Sequence, residues 1–145
     1  AISDGAAALA LMRASTAEKR GLTPLARIVA SAAHAQAPAL FTTAPVPAMR
    51  KALEKAGWSV GDVDLFEVNE AFAVVPMIAM RDLDISHDRL NVNGGACALG
   101  HPIGASGARV LVTLIAALEH HGLKRGMASL CIGGGEATAV AVERL

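Results

Sequence analysis

An amide, an imidazole and a thiol stand apart from largely aliphatic surroundings: Asn69, His101 and Cys131. Asn69 follows directly on the apolar run Val63–Val68. Its side chain either caps the next helix or is aimed from a strand end into a crevice, where open α/β sheets bind ligands. His101 lies in Gly100-His-Pro-Ile-Gly104, just ahead of a helical pattern. A loop histidine can be purely structural. Here flanking glycines let the backbone approach a ligand, and the helix start beyond favours an anion. Cys131 is followed by Ile132 and the glycines Gly133-Gly-Gly135. Successive N–H groups in such a turn can converge on an anion and lower a thiol's pKa; the alternative is a buried apolar cysteine before a hairpin turn. The glycines form neither a Walker loop nor a G-x-G-x-x-G fingerprint in a βαβ setting.

Other polar residues carry less. Arg109 reads as a surface cation or the partner of a carboxylate, with no catalytic role. Cys97 reads as a small buried hydrophobe. His120 and His121 end a helix, where a partly protonated imidazole suits the negative pole. His34 and His87 have no evident partner, and Met77 and Met80 fill core or interface space. The two cysteines lack metal-ligand spacing and are too few for a disulfide framework, which argues against a metal enzyme and suggests free thiols in a reducing, cytoplasmic setting.

The elements that must position these residues follow from pattern. Gly5–Met12 and Leu25–Ala33 are apolar runs predicted as strands buried on both faces. Between them, Ser15-Thr-Ala-Glu18 has the form of a capping box for a short helix ending near Gly21. Pro47 suits a helix's first turn, with Met49–Ala56 following and Gly57 as a stop. Val63–Val68 is a strand. Asn69 then caps a helix running toward Asp82, which Pro76 should bend. Asn91–Asn93 is extended and leads into a glycine-rich loop ending at Gly104. Val110, Leu111, Leu114, Ile115 and Leu118 form one helical stripe over Ser106–His121. Met127–Ile132 and Ala137–Val142 are strands joined by Gly133-Gly-Gly-Glu136. This alternation predicts an α/β fold, a mixed β-sheet with helices on its faces.

Composition limits the partners. Hydrophobic residues make up 53% of the 145 residues and charged ones 18%. A chain this apolar is expected to bury surface against a partner subunit or companion domain. Thirteen basic and thirteen acidic residues cancel, and no basic run appears, so nucleic acid is disfavoured as a partner. Ile28–Met49 is uncharged and long enough to span a bilayer, yet it contains His34, Gln36, Pro38, Pro45 and Pro47; no membrane partner is expected. The opening Ala-Ile-Ser-Asp-Gly reads like the interior of a longer sequence.

Taken together, these segments resemble the thiolase family. The resemblance rests on Asn69-Glu-Ala-Phe-Ala73, on Asn93-Gly-Gly-Ala with Gly100-His-Pro-Ile-Gly-Ala-Ser-Gly-Ala-Arg109, and on Cys131-Ile-Gly-Gly-Gly135. Spacings of 32 residues (69 to 101) and 30 residues (101 to 131) also fit. It implies half of a layered αβαβα architecture, with residues 1–24 closing an amino-terminal core domain and residues 25–145 forming the carboxyl-terminal domain. It implies Claisen condensation of acetyl-CoA, or the reverse thiolysis of 3-ketoacyl-CoA. Coenzyme A thioesters would be substrates, no cofactor would be permanently bound, and the intact protein would be a homodimer or homotetramer. In this resemblance His101 activates a nucleophilic cysteine and donates to the thioester oxygen, with Asn69 helping through an ordered water in the same oxyanion site. Cys131 exchanges the α-proton, and the Gly133 N–H serves a second oxyanion hole. The acylated cysteine itself would belong to an amino-terminal half, and neither Cys97 nor Cys131 takes that part. The alternative is a noncatalytic thiolase-like subunit that keeps the fold as an interaction module.

Overall fold

The computed structural model describes residues 2–145. After an extended segment, a short helix α1 (Ala14–Lys19) leads to strand β1 (Ala26–Ala35). A 3-10 turn (Pro38–Thr43) runs into α2 (Pro45–Ala56), followed by β2 (Leu65–Val68) and α3 (Val74–Leu83). Then come a single turn α4 (Ala96–Leu99), the long α5 (Ser106–His120), and the hairpin β3 (Arg125–Cys131) and β4 (Glu136–Arg144). The four strands form one sheet in the order β1-β4-β3-β2. β1–β4 and β4–β3 are antiparallel, whereas β3–β2 is parallel, so the sheet is mixed, as predicted.

The sheet is covered on both faces. One core joins α2 and α3 to the sheet through Met49, Leu53, Phe66, Val68, Val75 and Met127. The other packs Val110, Leu114 and Leu118 of α5 against Leu65, Ala128 and Val142. Gly126 makes the second approach possible, because a Cβ there would lie 2.9 Å from the Leu114 side chain. β2 falls within the predicted strand Val63–Val68, and the alternation of its side chains serves both cores. Leu65 faces α5 and Phe66 and Val68 face α2 and α3, so all four residues are buried.

Several local expectations are corrected. Gly5–Met12 forms no strand; it is extended and largely exposed, with no ladder partner among the described residues. β1 is an edge strand with mostly exposed or half-exposed residues, rather than one buried on both faces. The capping box at Ser15 is not made: α1 starts after Arg13 without a side-chain cap bond. A capping box does form between Ser59 and Asp62, where the sequence had not suggested one. Asn69 caps no helix, since α3 begins five residues later at Val74. Pro76 is therefore its third residue, where the missing N–H is one of the donors a helix leaves unpaired anyway. Asn91 turns with φ 51° instead of extending. Its amide acts as a strand partner, accepting from Val68 N at 2.9 Å and donating to Val68 O at 2.9 Å. Among the described residues, no helix is long and apolar enough to cross a membrane.

Candidate active site

Two strand ends supply the site. β2 and β3 run parallel, with Val68 opposite Ser129, so Asn69 and Cys131 leave the same end of the sheet from neighbouring strands. Asn69 N donates to Ser129 O at 2.9 Å, which prolongs the pairing by one residue and holds the Asn69 backbone still. Its side chain is 1% exposed. Asn91 grips Val68 from the open side of β2, so the residue before Asn69 is held on both edges.

The His101 loop reaches this strand end through two anchors. Glu70 Oε2 accepts from Cys97 N at 2.9 Å at the start of α4. Gly95 must be glycine for this contact, because a Cβ would meet the Glu70 carboxyl at 2.3 Å. Ser106, the first residue of α5, is fully buried and reaches back to His101. Its Oγ lies 2.6 Å from His101 Nδ1 and donates to Pro102 O at 3.0 Å. A hydroxyl has one proton, so with that proton on Pro102 O the Nδ1 atom must donate to Ser106. His101 Nε2 is then a bare acceptor, facing Asn69 Nδ2 at 3.4 Å. The amide cannot turn over freely, since Arg109 Nη2 donates to Asn69 Oδ1 at 3.3 Å.

Electrostatics keep the imidazole neutral. Burial, then the positive charge of Arg109, lowers the His101 pKa below the ordinary imidazole value. Beneath the pair lies Glu67, 2% exposed, whose pKa burial raises to about 7 against the opposing effect of Arg109. Cys131 is a free thiol, 7% exposed, and burial pushes its pKa up. It belongs to the α2/α3 core, with Met127, so it approaches the strand ends from the other face.

The structure thus joins Asn69 directly to His101 and brings Cys131 to the adjacent strand end. No hydrogen bond links its thiol to either of them among the described residues. The Gly133 N–H likewise donates to nothing there. Its turn is closed by Ile132 N to Glu136 O (2.7 Å) and Gly135 N to Ile132 O (3.0 Å), and is seated on the chain after β1 by Gln36 N to Gly135 O (3.1 Å). Gly135, at φ 100°, allows this seat: a Cβ would stand 2.3 Å from Gln36 O. An open depression of ≈ 460 Å³ lies between Ser3–Ala7 and Pro102–Ala108, and none of the four predicted site residues lines it.

Sequence reasoning missed Ser106, Arg109, Glu70 and Asn91 as parts of the site. Ser106 and Arg109 follow His101 by five and eight residues, one helical turn apart on α5, which was a readable signal. Glu67, two residues before Asn69 in a buried strand, carried the signal of a carboxylate where an aliphatic residue would suffice. Asn91 gave no signal. Cys97, expected to be buried, is exposed. Met77 is exposed too, whereas Met80 packs against the first core. His34 has partners after all, in Lys51 Nζ at 3.2 Å and Gln36 Oε1 at 3.1 Å.

A neutral imidazole steadied by an amide at one strand end, with a thiol at the neighbouring strand end of a mixed α/β sheet, supplies groups able to accept and donate protons. The chain belongs to the thiolase family: the family described as "Thiolase, C-terminal domain" matches residues 22–144. Among curated relatives, an acetyl-CoA acetyltransferase of Allochromatium vinosum is 53% identical over 144 residues, covering 99% of this chain. The cytosolic acetyl-CoA acetyltransferase of Mus musculus is 51% identical over 143 residues, also 99% of this chain. The crystal structure of the Bacillus anthracis acetyl-CoA acetyltransferase superposes with a TM-score of 0.90 at 46% identity, covering 92% of this chain and 34% of that one. The chain spans 36% of the length of both the Allochromatium and the mouse relative.

Proposed function

We propose that this chain supplies the base, amide and proton-exchanging thiol of an acetyl-CoA C-acyltransferase, and that the acylated cysteine lies outside these 145 residues. Residues 1–24 would close a preceding core domain and residues 25–145 would form the carboxyl-terminal one. The observation that carries the reading is the Asn69–His101 contact with Nε2 left as an acceptor. The family relationship supplies the substrate class.

His101 Nε2 takes the proton of the nucleophilic thiol as its sulfur attacks the thioester carbonyl. The bond to the coenzyme A sulfur breaks, and His101 returns the proton to that leaving thiolate. In condensation, the Cys131 thiolate removes the α-proton of a second acetyl-CoA. The resulting enolate carbon attacks the acyl-enzyme carbonyl, and the first cysteine leaves as a thiolate that takes the proton from the Cys131 thiol, which restores the Cys131 thiolate. Thiolysis runs the same steps backwards, with the Cys131 thiol donating its proton to the departing enolate. Burial raises the Cys131 pKa, so the thiol form dominates at neutral pH and is ready for that donation. Each oxyanion donor of this kind is worth about 2.7–4 kcal/mol in the barrier. The free N–H of Gly133 and the Asn69 amide are the donors we assign. The intact protein is read as cytoplasmic and as a dimer or tetramer. The two free cysteines and the name of the mouse relative, a cytosolic acetyltransferase, support the location.

Cys131→Ala in the intact protein tests the assignment. Burst release of coenzyme A from acetyl-CoA should survive, whereas acetoacetyl-CoA formation should fall by about 10²-fold or more, at the low end for losing an acid–base group. Equal loss of both steps would remove Cys131 from its role as the α-proton base.

A further inference from the structure

Arg109 is half-buried at the first turns of α5, and its side chain makes a single hydrogen bond, to Asn69 Oδ1. Its Nε and Nη1 have no hydrogen-bond partner, although Nη1 lies 3.9 Å from Glu67 Oε2. Glu67 Oε1 is also unpartnered, on a side chain with 2% exposure. Burying a guanidinium beside a carboxyl in this loose geometry is costly, since each leaves polar atoms without a partner. A stability role alone would be better served by an aliphatic pair of similar volume. What the arrangement does achieve is directional. With Nδ1–H committed to Ser106, the Nε2 lone pair repels a carbonyl oxygen and accepts from an N–H. Asn69 can satisfy it in one of its two amide orientations, and the Arg109 bond to Oδ1 selects that one.

We propose that Arg109, backed by Glu67, is a positioning residue: it holds the Asn69 amide with Nδ2 toward His101, so that Nε2 stays unprotonated and the amide yields that lone pair to the reacting thiol. The inference rests on the acyl-transfer reading for its kinetic consequence, and on geometry alone for its effect on the imidazole. Its charge acts in the same direction as its hydrogen bond, because a cation nearby disfavours imidazolium. The other charged groups near the pair are Glu67 on β2 and Glu70 in the loop after it. Ser106 is a neutral neighbour.

The test uses the intact protein with Arg109→Met, which keeps length and loses donors and charge, and Arg109→Lys, which keeps the charge and one donor. Arg109→Met should lower kcat for thiolysis by about 10- to 100-fold, the scale of a misplaced catalytic group, with KM nearly unchanged. The acid limb of its kcat/KM profile should move to higher pH, and Arg109→Lys should return the limb to the wild-type position. A wild-type kcat in Arg109→Met, a loss confined to KM, or an unmoved limb would overturn the proposal. Nitrogen-15 spectra of the His101 ring provide a readout that needs no turnover. Wild type should show Nδ1 protonated and Nε2 bare at neutral pH, and Arg109→Met a mixture of tautomers. Identical ring spectra in the two would overturn the proposal as well. Were the wild-type protein inactive, the acyl-transfer reading would fail, and the spectra would still decide the positioning role. If Arg109→Met does not fold, Arg109→Lys decides: a retained tautomer and limb support the proposal, and a displaced limb overturns it.

Discussion

At the scale of single residues, the imidazole of His101 is held neutral by its surroundings, and this has a cost that depends on pH. Its folded-state pKa lies below the ordinary value, first through burial and then through Arg109. The folded protein therefore binds this proton less readily than the unfolded chain does. Stability from this group is complete above the unfolded pKa of about 6.5 and declines as pH falls below it toward the folded value. Thermal melting of the intact protein should show a loss between pH 7.5 and 5 that is smaller in His101→Asn, an uncharged replacement of similar size. Parallel losses in the two proteins would show that His101 is not held neutral by the fold. The types and positions of Asn69, His101 and Cys131 were readable in the sequence, because each is a polar residue placed among glycines or at a strand end. Their mutual orientation was not. It depends on Ser106, Arg109 and Asn91, whose contacts cross 5, 40 and 23 positions of sequence; the spacing of the first two on α5 was readable, but their contacts and the place of Asn91 were not.

At the scale of elements, α5 is the part most readable from sequence, and its packing explains why. A stripe of Val110, Leu114 and Leu118 needs one apolar partner surface, and Leu65, Ala128 and Val142 provide it. The stripe fixes how far α5 stands from β3, and with it the height of Ser106 and Arg109 above the strand ends. Gly126 sets that distance. Gly126→Ala would place a methyl group 2.9 Å from Leu114, so it should destabilise the protein by about 1–3 kcal/mol, as overpacking does. Leu114→Ala should cost about 2–5 kcal/mol by leaving a cavity. Because the added methyl group enters the space that Leu114 vacates, the double variant should be more stable than the sum of the two losses. Strict additivity in denaturant melts would mean that the two sites do not share that space. The segments that sequence misjudged are those where apolar composition had two outlets. Gly5–Met12 and β1 have the residues of buried strands, yet burial requires a facing surface, and this chain supplies it for β2, β3 and β4 but not for β1. Pro76 was misjudged for a different reason: the helix after Asn69 starts late, and a proline in the first turn disrupts nothing.

At the scale of the whole molecule, the two edges of the sheet are unequal. The outer edge of β2 is closed by the Asn91 side chain and by a bridge between Phe66 and Leu90. The outer edge of β1 is open, and Leu25 and Ile28 on it are exposed, as is Leu11 in the segment before it. An open edge with apolar side chains pairs readily with whatever strand it meets. Asn69 and Cys131 are buried, whereas Phe72, Leu99 and Ile103, within three residues of Asn69 or His101 in sequence, leave apolar side chains exposed. Exclusion of water is what gives oriented donors their leverage on a developing oxyanion. One deficit is plain under the proposed reading: no residue here is assigned as the acylated nucleophile. The purified 145-residue chain should show no thiolysis of acetoacetyl-CoA above the uncatalysed rate, and it should elute in size-exclusion chromatography above its 14.8 kDa mass. Robust turnover by the isolated chain would mean that a nucleophile within it, Cys97 or Cys131, carries the acyl group. If that nucleophile were Cys131, it could not be serving the α-proton alone.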